Sequence, residues 1–247
     1  MTGAVKSGWS PFSYIVINLA RQIRANEITF SGVNSTLPML ACVLAKRAYD
    51  FHFTYINVAG GVEPVPAKIP HSSSDPAIVA GSAAIFSNQD FYDLCARGGI
   101  GLVFLGCAQI DGEGRTNVSS IGPWEKPKVR LPGGGGAAVM LPTAQRVATW
   151  RTEHSPRALV EKLDFVTASG NLSALITPIA VFQRTTGRLR LESWHPDSSA
   201  GEVVNKTGFQ FDTTGAMPTA LPSAREAGAL REIDGDGAFE AEAGIKL

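Results

Sequence analysis

Residues 28–49 read ITFSGVNSTLPMLACVLAKRAY. Ile28 to Ser31 is a short β-prone run that stops at Gly32. Ser35 and Thr36 then supply the hydroxyls of a helix start, Pro38 sits in the first turn, and an apolar helix runs to about Tyr49. The unit is strand, loop, helix, and the chain repeats it. Phe53 to Val58 is strand-like, a second apolar run lies within Ile78 to Phe86, Phe91 to Arg97 has helical spacing, and Gly101 to Cys107 is a continuous apolar strand. Alternation of this kind predicts an α/β protein: a mostly parallel open sheet with helices on both faces.

Upstream, Ser13 to Ala25 places Ile15, Val16, Leu19, Ala20 and Ile23 at helical spacing, with Arg21, Gln22 and Arg24 on the other side, which predicts an amphipathic helix. Downstream, a polar glycine-bearing stretch after Ala108 reads as a hairpin. Val147 to Trp150, Leu163 to Thr167, Ile176 to Arg184 and Gly187 to Glu192 read as further strands, the last two joined by a Thr185-Thr186-Gly187 turn. Ser223 to Ile233 reads as a helix closed by Gly and Asp. With 247 residues and no long linker, one domain over 1–247 is expected.

The bulk composition removes several classes of function. Lys+Arg and Asp+Glu are both 22, so no net field gathers nucleic acid or an anionic membrane around the molecule. Met1 to Pro11 holds no apolar leader segment, and no apolar run approaches the ~20 residues of a spanning helix, so a soluble cytoplasmic protein is expected. Cys42, Cys95 and Cys107 are odd in number and irregular in spacing, which suggests neither a disulfide framework nor a zinc cluster. His52, His71, His154 and His195 are scattered, with no ligand spacing, so no metal site is expected. Without a secretory leader, the sequons at Asn34, Asn117, Asn171 and Asn205 read as chance.

Two segments could carry chemistry. Gly133 to Gly136 is a run of four glycines, costly in backbone entropy unless positive φ or close backbone approach is needed; its bare N–H groups could cradle an anion or oxyanion, or the run could be a surface turn. No Lys-Ser/Thr pair closes it as a nucleotide phosphate loop. Gly106 to Asn117 places Gln109, Asp111 and Asn117 just past the carboxyl end of a buried strand, where open α/β sheets bind ligands. Taken alone, the segment reads more simply as a turn, built by Asp111, Gly112 and Gly114 with side chains bonding their own backbone.

Together these segments resemble the class I CoA-transferase family, specifically beta chains of the glutaconate CoA-transferase type, over nearly the whole chain. Gly106 to Gly122 matches the family stretch Gly-Ala-Gln-Ile-Asp, Gly-Asn-x-Asn, Ser-Ile-Gly. Pro127, Lys128 and Arg130, followed by Gly133 to Ala137, match Pro-Lys-x-Arg and the glycine-rich loop. Asp164 to Gly170, His195 to Phe209 and Leu44 to Tyr49 match further segments. The resemblance implies the CoA-transferase (sugar-phosphate isomerase-like) fold and an alpha-type partner in a heterodimer or heterotetramer. It also implies an acyl-CoA thioester as substrate where the two chains meet, with no other cofactor bound.

In the transferases of that family a beta-chain glutamate, set before Ser-Gly or Asn-Gly, attacks the thioester. Here the matching stretch is Asn57-Val58-Ala59-Gly60-Gly61 and the position is Ala59, which cannot form an anhydride. Glu63 is the nearest carboxylate, ~13 Å along an extended chain. The resemblance therefore extends to a divergent branch that includes a steroid-ring hydrolase and a methylglutaconyl-CoA decarboxylase. By that analogy Gly133, Gly134, Gly135 and Gly136 form an oxyanion wall, Gln109, Asp111 and Asn117 position the acyl-CoA, and the alpha chain supplies any acid-base carboxylate. The alternatives are ordinary CoA transfer from a dicarboxylic acyl-CoA to a small acid, and a ligand-sensing module without catalysis.

Overall fold

The computed structural model describes residues 7–246; Met1 to Lys6, part of the segment read for a leader, and Leu247 lie outside the described residues. The first half of the chain contains α1 (Pro11–Ala20), β1 (Ile28–Ser31), α2 (Thr36–Ala48), β2 (Thr54–Asn57), β3 (Gly61–Val62), β4 (Ala84–Ile85), α3 (Asn88–Ala96) and β5 (Leu102–Gly106). Short pairs follow: β6 (Gln109–Ile110), β7 (Thr116–Asn117), β8 (Ser120–Ile121) and β9 (Val129–Arg130). The remainder is α4 (Ala137–Thr143), β10 (Arg146–Trp150), β11 (Leu172–Ile176), β12 (Ala180–Thr185), β13 (Arg188–Trp194), α5 (Ala200–Lys206), β14 (Met217–Pro218), α6 (Ala224–Ile233) and α7 (Ala238–Glu242).

Ten strands form one sheet in the order β14-β13-β12-β11-β10-β5-β1-β2-β3-β4. The centre, β2-β1-β5-β10-β11, is parallel, with Phe30 opposite both Ile56 and Val103. Antiparallel strands extend each flank: β3 and β4 beyond β2, β12 and β13 beyond β11. The outermost strands, β4 and β14, are two residues each.

Strand alternation splits the core in two. Leu102 and Phe104 of β5 join Ala148 of β10 beneath α1, α2 and α6. Val103 and Leu105, with Val147, face the opposite side and pack with Phe91 and Cys95 of α3 and Met140 and Leu141 of α4. Cys42, Cys95 and Cys107 are free thiols inside these layers. No helix among the described residues is long and apolar enough to cross a membrane.

Three sequence expectations change. The first helix ends at Ala20, and Phe12 to Ala20 are buried on every side. It is a core helix, because its own residues are apolar on nearly every side, and Arg21, Gln22 and Arg24, which gave the sequence its polar side, lie past its end. Arg21, past its end, makes an ion pair with Glu226 of α6 (2.8 Å). Leu163 to Thr167 is not a strand: Val118 N–H bonds Thr167 Oγ1 (3.0 Å), and the segment docks as irregular chain. Ile176 to Arg184 is not one strand: Ile176 ends β11, the chain turns at Thr177, whose hydroxyl caps Ala180 N–H (3.0 Å), and Ala180 to Arg184 belong to the antiparallel β12.

Candidate functional site

Chain direction fixes where a ligand can enter. From β1 the chain crosses through α2 to β2 on one side, and then through α3 to β5 on the other side of β1. The loops after β1 and β5 therefore diverge, which opens a crevice at the carboxyl ends of the parallel strands. A cleft of about 910 Å³ occupies that place. The loop Gly32–Leu37 after β1 and Gly106–Ala108 after β5 line it, together with Trp150–Thr152 at the end of β10. Phe30, Phe91 and Met140 make much of the wall apolar, as in small-molecule sites generally.

Gly133 to Gly136 line this cleft. Gly133 (φ +94°) and Gly135 (φ +49°) adopt backbone that side chains resist, and Gly136 lies so close to Met140 and Tyr92 that a Cβ would meet Met140 Cε at 2.6 Å and Tyr92 Oη at 2.7 Å. Gly133 N–H is held by the Val118 carbonyl (2.8 Å), whereas the N–H groups of Gly134, Gly135 and Gly136 have no acceptor among the described residues. Three successive amides without an acceptor are chemically able to receive an anion.

Gln109 and Asn117 do not line the cleft; they brace the loop that does. Asn117, fully buried, donates through Nδ2 to Gln109 Oε1 (2.8 Å) and the Ser120 carbonyl (2.7 Å) and accepts at Oδ1 from the N–H groups of Ser119 (3.0 Å) and Ser120 (3.2 Å). Gln109 donates to Asp164 (3.1 Å). The segment so fixed presents the Ser119 carbonyl to Leu131 N–H (3.0 Å) and the Val118 carbonyl to Gly133 N–H. Asp111 does other work: its carboxylate accepts from the N–H groups of Glu113 and Arg115 (both 3.0 Å) and from Arg115 Nε (2.7 Å), closing the β6–β7 turn away from the cleft.

After β2 the chain turns at Val58 to Gly60. Asn57 Oδ1 caps Ala59 N–H (3.0 Å) and Gly61 N–H (3.2 Å), and Gly60 (φ +96°) sits where a Cβ would lie 2.6 Å from the Phe86 carbonyl. Ala59 is exposed at the apex of this turn and carries no reactive atom. The antiparallel β3 then carries Glu63 back along β2. There its carboxylate pairs with Lys46 (2.7 Å) and accepts the Tyr55 N–H, on the far side from the strand ends.

The cleft also holds three acidic or basic side chains to which no motif points: Arg151, His71 and Glu242. His71 Nδ1 lies 2.9 Å from Glu242 Oε2, and its ring stacks on Phe239 (4.6 Å between centroids). The two residues are 171 positions apart, and the return of the chain end at α7 to the β3–β4 connection joins them. Cys107 lines the cleft too, but burial pushes its thiol up to about 11 despite the nearby Arg151, so it is a neutral thiol at neutral pH. Among the described residues no group of His, Cys, Asp and Glu is arranged to hold a metal.

The sequence profile of the Coenzyme A transferase family matches residues 14–218. The chain is similar to the B-type half of glutaconate CoA-transferase from Acidaminococcus fermentans, 27% identical, with 90% of this chain and 92% of that one covered. It is similar to the same degree to the B-type half of 3-oxoadipate CoA-transferase from Pseudomonas knackmussii, 27% identical over 92% of this chain and 94% of that one. Among solved structures, a chain of the decarboxylase AibA/AibB superposes with a TM-score of 0.88 at 32% identity, covering 94% of this chain and 98% of that chain.

Proposed function

Because this chain belongs to the coenzyme A transferase family, we propose that it is the beta-type half of a two-chain enzyme that binds an acyl-CoA thioester in the cleft and promotes hydrolysis, C–C cleavage or decarboxylation without forming a covalent acyl intermediate on this chain. The observation that carries this reading is the pairing of Ala59 at the turn after β2 with the diversion of Glu63, the nearest carboxylate, into a bond with Lys46. A nucleophilic carboxylate must reach the carbonyl it attacks, and this one is bound elsewhere. The likeness to the decarboxylase AibA/AibB supports the same reading, since decarboxylation needs charge stabilisation next to a carbonyl rather than acyl transfer.

In this mechanism the thioester oxygen faces the N–H groups of Gly134, Gly135 and Gly136, which stabilise the negative charge that develops on it. Gln109, Asn117 and Asp164 hold those amides in place through the 117–120 segment. Among the described residues Glu242 is the one carboxylate lining the cleft, and it is bound to His71 (2.9 Å); by analogy with the family, the acid-base group at the reacting carbon is assigned to the alpha-type partner.

The test uses the chain purified with that partner. The complex is incubated with a panel of acyl-CoA thioesters, then treated with borohydride and analysed by peptide mass spectrometry. Thioester consumption with no reduced carboxylate, and unchanged turnover in Glu63→Gln, is the expected result. Reduction at Glu63 with parallel loss of activity, or exchange of labelled CoA into an acyl acceptor, would establish ordinary CoA transfer instead. Absence of any thioester binding would favour the ligand-sensing alternative.

A further inference from the structure

Among the described residues, Tyr92 is the one tyrosine lining the cleft. It stands on α3, whose start is fixed by a reciprocal cap: Asp90 N–H donates to Ser87 Oγ (3.2 Å) and Ser87 N–H to Asp90 Oδ2 (3.0 Å). Phe91 beside it is buried with its ring 4.2 Å from that of Phe30, and the Tyr92 ring meets Phe91 edge-on at 5.4 Å. The ring is held, but its hydroxyl makes no hydrogen bond among the described residues. Gly136 shows how close that hydroxyl comes to the glycine loop. Its φ of −78° suits any L-residue, so its lack of a side chain answers to space rather than to backbone. A Cβ there would fall 2.6 Å from Met140 Cε and 2.7 Å from Tyr92 Oη; the methionine end can swing aside, the ring packed on Phe91 far less.

The Tyr92 hydroxyl accepts from none of the Gly134, Gly135 and Gly136 N–H groups, so free donors gather here with no acceptor among them. An N and a Cβ on one Cα are about 2.5 Å apart, which puts Oη within about 5 Å of the Gly136 nitrogen. Two donors that each stand about 2.9 Å from a shared oxygen can be up to about 6 Å apart, so one oxygen can receive both. We infer that the Tyr92 hydroxyl is a fourth donor to the thioester oxygen, reaching it from α3 while the three amides reach it from the loop before α4. Phe30, Phe91 and Met140 around it keep the wall apolar, where such a bond to developing charge is stronger than in water. This inference rests on the acyl-CoA reading above and adds to it a side chain that touches the reacting atoms.

The experiment compares wild type with Tyr92→Phe, each in complex with the alpha-type partner. The substitution removes one oxygen from the open cleft and keeps the ring against Phe91, and melting curves check the fold. Turnover is measured on the panel thioester consumed fastest. The expected result is a kcat lowered about 10- to 100-fold with KM within about twofold, because the hydroxyl acts on charge that develops during the reaction. In the variant the infrared carbonyl band of bound, carbonyl-labelled butyryl-CoA should also move back towards its position in solution, a change that a purely structural role would not produce. Unchanged kcat in Tyr92→Phe overturns the inference while leaving the acyl-CoA reading intact, whether or not KM rises. A fall in kcat without the band shift assigns Tyr92 to positioning the loop and overturns it as well. A wild-type complex that neither binds nor consumes any thioester removes both.

Discussion

Replacing Gly135 by alanine separates what the glycine loop does for catalysis from what it does for folding. Gly135 has φ +49° and nothing within 4 Å of the position a Cβ would take, so the methyl meets no atom; the left-handed backbone penalty, at most roughly 1–2 kcal/mol for an L-residue, drives the loop away from that φ and turns its amides out of line. In a chain of 247 residues that penalty is roughly a 2–8 °C fall in Tm. Gly187, in the turn between β12 and β13, is a matched control: φ is +84°, a Cβ there is also unobstructed, and the turn lies at the amino end of the parallel strands, opposite the cleft. Both variants should therefore melt earlier by similar amounts. Only Gly135→Ala should lower kcat, by ~100-fold, the usual loss when one oxyanion donor is misplaced. The assay is thioester turnover by the two-chain complex at a temperature well below either Tm. Equal activity losses in the two variants, or full activity in Gly135→Ala despite the lowered Tm, would refute the role given to the amides.

Acid sensitivity follows from two buried histidines. Burial lowers both His154 and His195 to about 4, and each is satisfied without a charge: His195 Nε2 donates to the Thr177 carbonyl (3.1 Å), and His154 Nδ1 lies 2.8 Å from Thr177 Oγ1. The unfolded chain takes up these protons near pH 6.5 and the folded chain only near 4, so their contribution is complete above 6.5 and is lost as pH falls towards 4. It amounts to about 3 kcal/mol for each histidine at the lower limit. Denaturant titrations at pH 7, 5.5 and 4 should show this slope, and its absence would contradict the burial argument. Glu226, only 4% exposed, is a second test. Burial alone would raise its carboxyl, but bonds from Arg21, the Ser223 N–H and Tyr49 hold it down to about 2, so Glu226→Gln should cost about 3 kcal/mol at pH 7 and much less at pH 2 by the same titration.

Local patterns carried most of the architecture. The unit at 28–49 was readable because a strand, a hydroxyl-rich start and an apolar helix lie next to each other, and α6 because Ser223 and Glu226 form a reciprocal cap. The β12–β13 turn was readable from Thr185-Thr186-Gly187, where Thr186 (φ +50°) and Gly187 take left-handed backbone. The first helix is buried all round, and the signal was present in Phe12, Tyr14, Ile15, Val16, Ile17 and Leu19, which leave no polar face; reading the helix on past Ala20 to Arg21, Gln22 and Arg24 supplied a polar side that the helix itself lacks. What escaped the sequence depended on distant contacts. Gln109 and Asn117 stood at the right sheet edge, but whether an amide faces a ligand or a backbone is settled by the 117–120 chain folding over it. Arg151, His71 and Glu242 carry no motif; their proximity is a product of topology.

The outermost strands bear on how two such halves can meet. β4 and β14 each offer two residues, and Pro218 in β14 lacks the N–H that lateral pairing needs. Continuous hydrogen-bonded growth of the sheet into another polypeptide is thereby disfavoured, by shortness on both margins and by the proline on one. A partner would meet this chain mainly through side chains and loops, with its sheet already complete.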